Sequence, residues 1–130
     1  MMNNQEISSD KLSSKVNALI IIDIQEKIIR PILNRDSIIK NIKKLLNAYE
    51  ILEENIFISE QNPLKLGATI PEFSPIAKFR KFEKMVFSLA KLEDFLKELK
   101  DKKITNLIVC GIETHICIQQ TVLDLSLIHI

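Results

Sequence analysis

The stretch Val16-Asn17-Ala18-Leu19-Ile20-Ile21-Ile22-Asp23-Ile24 decides the fold: it is a nearly unbroken aliphatic run that closes on a carboxylate. A strand with one wet face alternates apolar and polar side chains, and this one does not. It therefore reads as a strand buried on both faces, the mark of a parallel sheet covered by helices above and below. A second run of the same kind, Asn106-Leu107-Ile108-Val109-Cys110, ends at Gly111. Shorter strands are expected over 56–59 and 76–82.

Between the strands the periodicity changes. Over 37–54 the apolar residues Ile38, Ile39, Ile42, Leu45, Leu46, Tyr49 and Leu52 recur at helical spacing, with Lys40, Lys43 and Lys44 mainly on the other, solvated face. Leu92, Phe95, Leu96 and Leu99 predict a second helix over 91–100, and a third is expected to start at Thr114. The segment 60–75 holds Pro63, Gly67, Pro71 and Pro75 and reads as a loop. This alternation predicts a Rossmann-like three-layer α/β/α fold with a mostly parallel sheet in strand order 3-2-1-4. Such folds place ligands at the carboxyl ends of their strands, where Asp23, Glu60-Gln61 and the segment after Gly111 would meet.

Composition narrows the function classes. With 18 Lys and Arg against 17 Asp and Glu the net charge is +1, and the charges are interspersed. Neither nucleic acid nor an anionic membrane is implied as a partner. No run reaches the roughly eighteen apolar residues of a membrane span. Residues 1–15 read as a flexible polar leader without a cleavage site, so a cytoplasmic location with reduced cysteines is expected. Two glycines in the whole chain exclude a long glycine-rich phosphate loop.

Four elements carry chemistry, in this order: Ile21-Ile22-Asp23-Ile24-Gln25; Ser59-Glu60-Gln61-Asn62-Pro63 with Leu66-Gly67; Phe82-Glu83-Lys84-Met85-Val86-Phe87-Ser88; and Cys110-Gly111-Ile112-Glu113-Thr114-His115-Ile116-Cys117-Ile118-Gln119-Gln120-Thr121. Together they resemble the isochorismatase-like cysteine hydrolases, a superfamily that includes nicotinamidases and N-carbamoylsarcosine amidohydrolases. The second element is similar to a loop of the small isochorismatase-domain branch. The resemblance implies a catalytic trio of Cys117 as nucleophile, Asp23 as general base then acid, and Lys84 as charge stabiliser. It also implies a non-proline cis peptide between Ile112 and Glu113, with the N–H groups of Glu113 and Cys117 forming an oxyanion hole. Physical chemistry supports such a trio: a thiol near a helix N-terminus and beside an ammonium is expected to be acidified, and a carboxylate can carry its proton.

Cys110, inside its strand, is a packed thiol. His115 with the two cysteines matches no zinc spacing. Metal-dependent nicotinamidases place a His two residues after the strand-end Asp, where this chain has Gln25, so no metal and no cofactor are expected. Gln25 and Gln61 are candidates for substrate binding; fixing the loops is an equal alternative. The expected partner is a small molecule carrying an amide or related bond, and the full-length form is expected to be a homo-oligomer. The rival reading is a non-catalytic α/β scaffold of the same fold; a nucleotide binder is disfavoured because no glycine-rich turn follows either long strand.

The C-terminal stretch reads differently. Residues 16–124 are taken as an incomplete domain, because the resemblance implies further strands and helices. Leu125-Ser126-Leu127-Ile128-His129-Ile130 is similar to a translated sequencing adapter and is expected to be a non-native tail. An open apolar sheet edge would follow, so the chain is expected to be poorly soluble and inactive on its own.

Overall fold

The computed structural model describes residues 15–73 and 78–128. The leader up to residue 14, the start of the expected strand at 76–77 and the last two residues of the tail lie outside the described residues. Four strands, β1 (Asn17–Ile22), β2 (Asn55–Gln61), β3 (Arg80–Lys84) and β4 (Asn106–Gly111), form one sheet in the order β3-β2-β1-β4. All three pairings are parallel. The expected fold class and strand order are those observed.

β1 lies at the centre, and every residue from Ala18 to Gln25 is buried. Alternate side chains enter two cores. Leu19, Ile21, Ile56 and Ile58 pack beneath α2 (Arg35–Ile51), which contributes Ile42, Leu46 and Tyr49. Ala18, Ile20, Ile22 and Phe57 face the opposite layer, formed by α4 (Glu93–Asp101) and α5 (Gln119–Ser126), with Phe95, Leu99 and Leu125. In that second core the rings of Phe57, Phe82 and Phe95 meet edge to face at centroid distances of 6.0, 5.8 and 5.4 Å, an arrangement that aromatic quadrupoles favour over stacking. Leu125, which the sequence assigned to the tail, lies inside α5 and is 5% exposed.

Two short helices, α1 (Glu26–Ile29) and α3 (Pro63–Leu66), were not anticipated. α3 sits within the expected loop and starts on Pro63, where a missing N–H is harmless. The third strand lies further along than the apolar content of 76–82 suggested. β3 is an edge strand whose side chains alternate, with Phe82 and Lys84 buried and Arg80, Lys81 and Glu83 exposed. Its polar residues carry it past the apolar stretch that pointed to a strand there. β4 is the other edge, and Ile108 on it is 47% exposed.

Candidate active site

Register brings the site together. Ile22 at the end of β1 is level with Ser59 of β2 and Gly111 of β4, and Gln61 is level with Lys84 of β3. Asp23 is the first residue beyond β1. Its φ of 56° is left-handed, a conformation that Asp tolerates better than most side chains. Its N–H donates to the Ser59 carbonyl at 3.1 Å, which carries the ladder one residue past the strand. Across the sheet the Ile112 N–H donates to the Ile22 carbonyl at 3.0 Å. Gly111, with φ 138°, allows that approach: a Cβ there would lie 2.1 Å from the Ile22 oxygen. No side chain fits this position.

The turn after Gly111 contains the cis peptide Ile112–Glu113. One π-helical turn follows, Thr114–Ile118, with Glu113 at its N-cap and the Ile118 N–H donating to the Glu113 carbonyl at 3.3 Å. Cys117 lies in this turn, 7% exposed, and its thiol is within hydrogen-bonding reach of both the Asp23 carboxylate and the Lys84 ammonium. Lys84 Nζ donates to Asp23 Oδ2 at 2.8 Å, and both side chains are fully shielded from water. Asp23, Lys84 and Cys117 thus share one site at the carboxyl ends of the strands.

The expected acidification of Cys117 is corrected. Burial pushes its thiol up to about 11, and the hydrogen bond and charge of Asp23 push the same way, against the smaller opposing effect of Lys84. A helix terminus and an ammonium lower a thiol pKa, but here the loss of water and a carboxylate at close range outweigh them. At neutral pH the sulfur therefore carries its proton. Cys110 is also raised to about 11, by burial alone, and packs against the core on the α2 side of the sheet.

Of the two roles left open for Gln25, the geometry supports loop fixing. The side chain is fully buried. Its Nε2 donates to the Gln61 carbonyl at 2.9 Å and to the Gly67 carbonyl at 2.7 Å, while its Oε1 accepts from the Gln61 N–H at 2.7 Å. All the strong hydrogen-bonding capacity of that amide nitrogen is committed to backbone. Gln61 instead turns its Oε1 to Lys84 Nζ at 2.7 Å, so it holds the ammonium. His115 is exposed and lies 3.8 Å from Glu113. Among the described residues no group of three His, Cys, Asp or Glu is placed to hold a metal ion.

Two buried residues of the Ser59–Pro63 element had no role assigned from the sequence. Ser59 Oγ donates to Asp23 Oδ1 at 2.8 Å. Glu60, 2% exposed, accepts from the Thr69 N–H and hydroxyl at 2.6 and 2.8 Å and so ties the 60–70 loop down. The available signal was polarity where strand burial predicts apolar residues: Ser59 and Glu60 continue Ile56-Phe57-Ile58 without a break.

The isochorismatase domain model matches residues 17–127. The chain belongs to the isochorismatase family. It is 34% identical over 117 residues to isochorismatase domain-containing protein 2 of Xenopus laevis, covering 88% of this chain and 56% of that protein. Isochorismatase domain-containing protein 1 of Danio rerio is also 34% identical, over 88% of this chain and 40% of its own length. Among solved structures, MAR1 ribonuclease from Caenorhabditis elegans superposes with a TM-score of 0.82 at 32% identity, covering 89% of this chain and 60% of that one. An isochorismatase from Pseudomonas putida gives 0.78 at 25% identity, covering 87% and 64%. This isochorismatase-family chain therefore spans little more than half the length of several relatives. No described helix is long and apolar enough to cross a membrane.

Proposed function

We propose that this chain carries the catalytic residues of a metal-independent cysteine hydrolase acting on a small molecule with an amide or related bond. The supporting observation is that a buried thiol has a buried carboxylate and a buried ammonium both within hydrogen-bonding reach. A thiol protonated at rest needs a base at the moment of attack, and Asp23 is that base. Its carboxylate takes the Cys117 proton as sulfur bonds to the carbonyl carbon, and the carbonyl electron pair moves to oxygen. The N–H groups of Glu113 and Cys117 receive the oxyanion. Collapse of the adduct breaks the C–N bond, and the amine leaves with the proton held by Asp23. Water, deprotonated by Asp23, then attacks the thioester and releases the acid, and the proton returns to sulfur. Lys84, anchored by Gln61, balances the charge that passes between carboxylate and thiolate.

The test is hydrolysis of a panel of small amides, with RNA included because one structural relative is named a ribonuclease. Turnover lost in Cys117→Ala and on iodoacetamide treatment, but indifferent to chelators, is the expected result; turnover that survives Cys117→Ala refutes the reading. If the 130-residue chain does not turn over, the acylation half-reaction decides: an activated ester should add its acyl mass to the peptide containing Cys117. A second reading, a non-catalytic scaffold, is favoured by the burial and raised pKa of that thiol. It predicts no acyl adduct. A cytoplasmic location and assembly into homo-oligomers fit either reading.

A further inference from the structure

The catalytic reading assigns no task to Ser59, yet this side chain is fully buried beside the proposed base. It lies at the end of β2, in register with Ile22, and grips Asp23 twice. Its carbonyl accepts the Asp23 N–H at 3.1 Å, and its hydroxyl donates to Asp23 Oδ1 at 2.8 Å. The second carboxylate oxygen is held by Lys84 at 2.8 Å. Each oxygen of Asp23 thus has its own donor, which fixes the plane of the carboxylate relative to the Cys117 thiol.

We propose that Ser59 is a positioning residue whose hydroxyl holds the Asp23 carboxylate aimed at Cys117. The inference rests on the catalytic reading above and gives its base a second support. Held beside the thiol, the carboxylate charge keeps the thiol proton in place until a substrate carbonyl arrives. Without the hydroxyl, the carboxylate swings away on the Lys84 contact alone. That change leaves more of the sulfur as thiolate beside the Lys84 ammonium. The charged groups that act on the thiol are Asp23 and Lys84.

The experiment measures iodoacetamide alkylation of Cys117 and Cys110 at pH 7, resolved by peptide mass, in the 130-residue chain. Ser59→Val and Ser59→Thr form an isosteric pair that differs in the hydroxyl, and Ser59→Ala removes the hydroxyl without adding bulk. The expected result is alkylation of Cys117 about tenfold faster in the Val and Ala variants, the change that one pK unit produces, and within about twofold of the parent in Thr. Cys110, on the other side of the sheet, keeps its rate. Equal rates in Val and Thr overturn the proposal, and so does a parallel rise at Cys110, which marks general loosening. Asp23→Asn separates the role of Ser59 from that of Asp23. If Asp23→Asn accelerates Cys117 but Ser59→Val does not, the role of Ser59 alone falls; if Asp23→Asn has no effect, the reading of Asp23 as the thiol's base falls, and the role of Ser59 with it.

Discussion

Replacing Lys84 by Met removes the ammonium while keeping most of the side-chain volume, and leaves the Asp23 carboxylate without its buried partner. The magnitude follows from the geometry. The pair is 2.8 Å apart with both side chains fully buried, and deleting one partner of such a pair costs about 3–5 kcal/mol. Urea unfolding of parent and variant at pH 7, followed by circular dichroism, measures it. A deficit below about 1 kcal/mol refutes the claim that this ion pair is dry and intact.

Other predictions concern the scaffold. Gly111→Ala places a methyl 2.1 Å from the Ile22 carbonyl; it should displace the nucleophile turn and lower the unfolding midpoint, whereas an unchanged midpoint would show that β1 and β4 are not packed so closely. Phe95→Ala removes one member of the Phe57-Phe82-Phe95 cluster and should cost about 3–5 kcal/mol in urea unfolding, with a loss under about 1 kcal/mol contradicting its place in the core. The open β4 edge, with Ile108 exposed, should make the chain self-associate as concentration rises; Ile108→Lys should reduce that association, and a parent that stays monodisperse in light scattering would count against it.

How much of this was legible in the sequence depended on which force decides each residue. Burial on both faces of a central strand leaves an unbroken apolar run, so β1 and β4 were readable, and with the helix between them they gave the parallel sheet. The order of Asp23, Lys84 and Cys117 pointed to a common site because strand ends in such a fold face one edge. β3 was misplaced because an edge strand keeps polar side chains on its wet face. Lys84 in isolation looks like any surface lysine; only its register with Gln61 and the contact with Asp23 make it a buried cation. The direction of the Cys117 shift was misread because burial and a neighbouring carboxylate depend on three-dimensional packing, whereas proximity to a helix start can be counted along the chain. Ser59 and the backbone clamp made by Gln25 are hydrogen-bond partnerships across 36 residues, and no local spacing records them.

The relation of Cys117 to Asp23 is tested most directly by the pH dependence of Cys117 alkylation in the parent chain and in Asp23→Asn, with Cys110 as internal reference. The parent should be half-maximal near 11, where burial and Asp23 hold the thiol. A unit charge at hydrogen-bonding distance contributes a few kcal/mol at an effective dielectric of about 20, so removing it should lower the Cys117 midpoint by about 1–3 pH units and leave Cys110 unchanged. Superimposable Cys117 curves in the two proteins would show that the carboxylate does not act on the sulfur, and would contradict the account.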